Sequence, residues 1–182
     1  MTNYEKREEA RRQYKPEKTI EFLLIAETPP EKQDRFFYFP DVQTDDSLFL
    51  QTMKVLYPGE YNKYKDAKDI RRDKDCFLRR FQKDGFYLID AVNEPFEKGI
   101  SPHKKVKKIR ELVPDLLKKI SEIAGFKEDK TKIILVSCRV YEACFKGLRD
   151  KGFNIINKGT IPFPGSGQQK KFNEKMKILL KK

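Results

Sequence analysis

Apolar positions along this chain fall into short, compact runs, and the spacing inside each run sets the element it predicts. Residues 19–26 are almost continuously apolar, the pattern of a strand buried on both faces. Residues 86–92 and 132–136 read the same way, and 153–156 predict a fourth, shorter strand. Between them the spacing changes to three and four residues. Asp45, Asp46 and Ser47 predict a cap for a helix carrying Leu48, Phe49, Met53 and Leu56. A further helix runs through residues 75–81 and is closed by Gly85, and another covers 141–148. Residues 104–124 carry a long apolar stripe from Val106 to Ile123, interrupted by Pro114, which predicts a kink or two helices meeting there. The first 15 residues are polar and predict a helix or a loose arm ahead of a core from 16 to 182, and a lysine-rich helix ends the chain.

Strands alternating with helices predict one three-layer α/β/α domain over residues 1–182, with a central, mainly parallel, four-stranded sheet. Such sheets place ligands beyond the carboxyl ends of their strands. Here those ends carry Glu27, Asp90 and Asn93, Ser137, and the loop after Ile156.

Charge adds a partner class to this picture. Forty Lys and Arg against 28 Asp and Glu give a formal charge of +12. A domain so basic attracts phosphate backbones and gains affinity by counterion release, although a lysine-rich solvated surface accounts for the same numbers. No apolar run approaches the ~20 residues of a membrane span, and the N-terminus lacks the apolar core of a secretory signal. Cys76, Cys138 and Cys144 form neither a disulfide framework nor a zinc pattern, so buried free thiols in a reducing cytoplasm are expected, with no metal cluster and no cofactor.

Three segments carry candidate chemistry. Glu27, in Ala26-Glu27-Thr28-Pro29-Pro30, is a carboxylate held at the end of a buried strand, suited to orienting a water or stabilising a cationic transition state; capping a turn or pairing with a lysine is the plainer reading. The aromatic segment Phe36-Phe37-Tyr38-Phe39 suits stacking on a planar ligand, or plugs the core beneath a loop. In Phe163-Pro164-Gly165-Ser166-Gly167-Gln168, glycines permit close backbone approach, and Ser166 with the following helix N-terminus suits an anion such as phosphate; a plain loop has the same composition. His103 stands alone among lysines and reads as a surface or capping residue.

These segments together resemble the uracil-DNA glycosylase superfamily, in its small bacterial and archaeal branches, from about Ile20 to Phe172. Phe22 to Pro30 is similar to the first motif, a strand followed by Gly-Glu-Ala-Pro-Gly or a related form, with Glu27 at the position that activates or positions water. The resemblance implies that Phe37 or Phe39 stacks on the extruded base and that Asn93 reads its edge. It also implies that Gly165, Ser166, Gly167 and Gln168 pinch the DNA backbone. Phe163 stands where that superfamily has the histidine that stabilises the departing base, and the cysteines of its iron–sulfur branch have no counterpart. The implied activity is hydrolysis of the N-glycosidic bond of a flipped base such as uracil, by a monomeric, cytoplasmic DNA-binding protein. A catalytically impaired nucleic-acid-binding module of the same fold and a small nucleotide or nucleoside hydrolase are the alternatives.

Overall fold

The structure is a computed structural model that describes residues 1–165 and 167–180. Its centre is three parallel strands, β1 (Phe22–Ala26), β2 (Phe86–Asp90) and β3 (Lys132–Leu135), in the order β2-β1-β3. Leu24 lies opposite Leu88 on one side and Ile134 on the other, so the three apolar runs stack in register. Leu23, Leu24, Ile25, Ile133, Ile134 and Leu135 are fully buried. Burying each such side chain contributes about 1.5–3 kcal/mol, which is why continuous rather than alternating runs become the central strands.

Helices surround this sheet. They are α1 (Asn3–Gln13), α2 (Ser47–Leu56), α3 (Pro58–Tyr61), α4 (Ala67–Arg72), α5 (Lys74–Lys83), α6 (Pro102–Glu111), α7 (Val113–Glu122), α8 (Cys138–Asp150) and α9 (Gln169–Leu180). The polar N-terminus is a helix with a capping box between Thr2 and Glu5. The long stripe over 104–124 divides at Leu112, and Pro114 sits in the first turn of α7, where a missing N–H costs nothing. Gly85 (φ +77°) and Gly125 (φ +93°) turn the chain at the foot of the sheet. A Cβ on Gly125 would lie 2.7 Å from the Lys18 carbonyl.

The expected fourth strand at 153–156 is not formed. Among the described residues, two isolated parallel bridges flank β3, Ile133 with Ile155 and Val136 with Ile161. Between them Asn157 replaces the ladder: its Oδ1 accepts from the Leu135 N–H (3.0 Å) and its Nδ2 donates to the Leu135 carbonyl (3.3 Å). The opposite edge is closed alike. The Leu88 N–H of β2 donates to the Tyr38 hydroxyl (2.7 Å), which donates in turn to the Leu88 carbonyl (3.2 Å). Each edge is thus met by a side chain that supplies both a donor and an acceptor, and the β3 edge also by backbone, the Ile133 N–H donating to the Asn154 carbonyl (2.8 Å) and the Ile156 N–H to the Ile133 carbonyl (3.0 Å).

Two further expectations change. Asp46 stands at the N-cap of α2, but its carboxylate caps no N–H; it pairs with Arg71 and Lys74 instead. Of the three thiols only Cys144 is buried, which pushes its pKa up to about 12, while Cys76 and Cys138 are exposed. Both are on helix faces turned away from the core, where a small side chain contributes little to packing.

Removing either edge group leaves a buried N–H and carbonyl unpaired, at roughly 1–3 kcal/mol. Tyr38→Phe and Asn157→Leu are each expected to lower the chemical-denaturation midpoint by that amount without changing the slope. An unchanged midpoint for both would remove the edge groups from the stability of the sheet.

Candidate functional site

Two buried acids at the carboxyl ends of the strands, Glu27 and Asp90, and a third before α2, Asp46, are each tied to arginine. Glu27 follows β1, and the backbone ladder continues past it, since the Val92 N–H donates to its carbonyl (3.1 Å). Its Oε2 accepts from Ser137 Oγ (2.9 Å) and Arg139 Nε (2.8 Å), leaving Oε1 without a partner among the described residues. The Glu27 side chain keeps 11% of its surface exposed. Ser137 joins β3 to α8 at φ +100°, a strained backbone for a residue with a Cβ. Its hydroxyl offsets that strain locally, donating to Glu27 and accepting from the Arg139 N–H at the helix start.

Asp90 closes β2. Its Oδ2 takes Arg11 Nη2 of α1 at 2.8 Å, with both side chains buried, and Arg11 also pairs with Glu8. Burial pushes the Asp90 carboxyl above its ordinary range; Arg11, Lys119 and Arg7 pull the other way. The Arg11 guanidinium also lies 5.2 Å from the centre of the Phe36 ring. The third acid, Asp46, is met by Arg71 Nε at 2.8 Å and by Lys74 Nζ at 3.5 Å. Lys74 has no exposed surface and lies 4.5 Å from the centre of the Phe49 ring, and burial lowers its pKa to about 8.

A cavity of about 140 Å³ opens between these ends. Its wall gathers Thr28 and Pro30 after β1, Phe36 and Phe37 of the aromatic segment, Leu88 and Asp90 of β2, Asp46 and Phe49 of α2, and Phe163 of the last loop. Phe37 is buried and packs edge-on against Tyr38 and Phe49, with one flank toward the cavity. Phe163 is 41% exposed at the rim. A cavity of about this volume accommodates one six-membered ring.

The residues expected at the site divide between this cavity and its surroundings. Phe37 and Phe163 line it; Phe39 does not, standing half-buried with its ring edge-on to Phe36. Glu27 is the neighbour of the lining residue Thr28, its carboxylate turned toward the β3 end. Asn93 belongs to a separate, larger open cleft of about 460 Å³ between α1, the β2 end and α7, where its Oδ1 accepts from Lys119 Nζ (2.8 Å). Burial lowers the Lys119 pKa to about 8. In the last loop Gly167 has φ +74°, and Gln168 accepts at the start of α9 from the Phe172 N–H; Ser166 lies outside the described residues. His103 is exposed in the first turn of α6.

Arg11, Arg139, Arg35 and Asp46 were not legible as site neighbours. Arg7 and Arg11 alone left a trace, a four-residue spacing that puts both guanidiniums on one face of α1. Among the described residues no group of three or more His, Cys, Asp or Glu is placed to hold a metal, and no helix is long and apolar enough to cross a membrane. No protein family, curated protein or solved structure matches this chain.

The buried lysine gives this region a pH signature. The folded Lys74 pKa of about 8 lies below its ordinary 10.5, so between these values the unfolded chain binds more protons and stability rises with pH. Relative to Lys74→Met, the parent is expected to gain about 3 kcal/mol between pH 8 and pH 10.5. Denaturant titrations of both proteins across that range check it; parallel curves would mean that Lys74 titrates alike in the folded and unfolded chain.

Proposed function

We propose that this chain hydrolyses the N-glycosidic bond of a base drawn out of a nucleic acid, with the cavity beside Thr28, Phe37 and Asp90 as the base pocket. One observation carries the reading. Four segments distant in sequence, the β1 end, the aromatic segment, the β2 end and the last loop, meet on a single ring-sized cavity. They are the segments through which the resemblance to uracil-DNA glycosylases runs. Bases that react in such enzymes must leave the stack, and an aromatic flank repays ~1–3 kcal/mol of that cost.

Glu27 is the group that positions the water. Ser137 and Arg139 fix its Oε2, so Oε1 presents one lone-pair edge in a set direction at the strand end. In the reaction the water oxygen bonds the anomeric carbon, and the carbon–nitrogen bond breaks with its electron pair on the base. One water proton ends on that base. Exposed Lys170 and Lys171 on α9, beside the glycine loop, supply phosphate contacts.

A second reading, a nucleic-acid-binding module without chemistry, is favoured by Phe163. That ring offers no hydrogen-bond donor to the departing base, and a donor aimed at developing charge contributes several kcal/mol elsewhere.

Base release from oligonucleotides carrying uracil, hypoxanthine or a cytosine, followed by alkaline cleavage, separates the two. Release of at least one base is expected, with Glu27→Gln lowering it about 100-fold or more at nearly unchanged DNA affinity. The affinity itself is expected to fall log-linearly with salt. DNA binding with no release of any base leaves only the binding module standing.

A further inference from the structure

The acid in the wall of the cavity has a consequence for which base fits. We propose that Asp90 makes this a pocket for a cytosine-class base, a pyrimidine whose exocyclic N4 amine donates to Asp90 Oδ1. The inference deepens the base-pocket reading above and rests on it.

Asp90 is the polar group that β2 itself delivers to the cavity. Its geometry is fixed from behind: Arg11 occupies Oδ2 at 2.8 Å, and Oδ1 has no partner among the described residues. Burial pushes the Asp90 carboxyl upward, but its Oδ2 is held at 2.8 Å by Arg11, which is always charged, and this contact is the reason for reading Asp90 as a carboxylate and an acceptor. An ionised carboxylate cannot donate. It therefore suits a base edge that carries a donor, and the N4 amine of cytosine is the pyrimidine edge that carboxylates read. The matching position of uracil is a carbonyl oxygen, which would face Oδ1 lone pair to lone pair. Phe36, Phe37, Leu88 and Phe163 offer no donor; the donors of the lining are Thr28, Ser47 and Arg35, the last paired with Asp45.

Size selects within the amine-bearing bases. Adenine also presents an exocyclic amine, but the cavity, at about 140 Å³, matches one six-membered ring rather than a fused pair. The other acids of the wall are engaged: Asp45 pairs with Arg35 at 2.5 Å, and Asp46 with Arg71 and Lys74. Asp90 Oδ1 is the acceptor that the end of β2 presents to a ring.

Binding of free nucleosides to the full chain, followed by calorimetry or by shifts of the Phe ring protons, tests this apart from hydrolysis. Deoxycytidine is expected to bind at least ~10-fold more tightly than deoxyuridine and more tightly than deoxyadenosine, the scale of one hydrogen bond to a charged group. N4,N4-Dimethyldeoxycytidine, which lacks the N4 donor, should lose that advantage on the unaltered protein. Asp90→Asn, whose amide can donate, should narrow or invert the cytidine-to-uridine ratio. Equal or tighter binding of deoxyuridine, retained binding of the dimethyl analogue, or no binding of any nucleoside would overturn the assignment. A clear deoxycytidine preference without base release from any oligonucleotide would uphold the pocket and overturn only the hydrolytic reading.

Discussion

A three-stranded parallel sheet has two edges for one interior strand, and every buried N–H and carbonyl on those edges needs a partner. Two side chains meet part of this demand, Tyr38 at Leu88 and Asn157 at Leu135, each supplying one donor and one acceptor, while Ile133 of β3 pairs through its backbone with Asn154 and Ile156. Much else follows from the first of them. To bring its hydroxyl to β2, Tyr38 must be fully buried, and the chain on either side is drawn in with it. Phe36 and Phe37 are thereby pressed against the ends of β1 and β2, where they become walls of the cavity. The aromatic segment is part of the core and part of the pocket at once, and the two readings open from its composition do not exclude each other.

The second organising constraint is charge without water. Glu27, Asp90 and Asp46 are all buried acids, and each is answered by an arginine from a different helix: Arg139 from α8, Arg11 from α1 and Arg71 from α4. Removing one partner of such a pair costs far more than the pair contributes net, so the pairs fix orientation more than they add stability. That orientation matters chemically. In Glu27 and in Asp90 the arginine engages one carboxylate oxygen and leaves the other unpartnered among the described residues, which gives each acid a defined free edge. The N-terminal helix, polar and unremarkable in sequence, belongs to the site for this reason: Arg11 passes over Phe36 to reach the end of β2.

Much of the fold was legible in the chain itself. The three central strands, the division of residues 104–124 near Pro114, and the turns at Gly85 and Gly125 follow from local rules, because burial on both faces, a missing N–H and a positive φ each leave a local mark. The fourth strand failed where the mark was ambiguous. Residues 153–156 are apolar enough for a strand, but whether they form a ladder depends on what Asn157 does with Leu135, a contact 22 residues away. Cys76 and Cys138 are exposed for a similar reason, since residue type sets a tendency and the helix face sets the outcome.

At the candidate site the sequence by itself determined the addresses: an acid after the first strand, polar residues after the second, an aromatic segment and a glycine loop, all at the carboxyl ends of parallel strands. Only the tertiary structure decided which of them meet. Asp90 and Asn93 are three residues apart and equally polar, yet the first ends its strand on the cavity wall and the second turns to Lys119 in a different cleft. Glu27 and Thr28 are adjacent, and one faces Ser137 and Arg139 while the other lines the cavity. The reason is physical. Strand periodicity and turn chemistry are fixed by neighbours in the chain, whereas the direction of a buried polar group is fixed by whichever charge or hydroxyl the packed helices bring within hydrogen-bond reach.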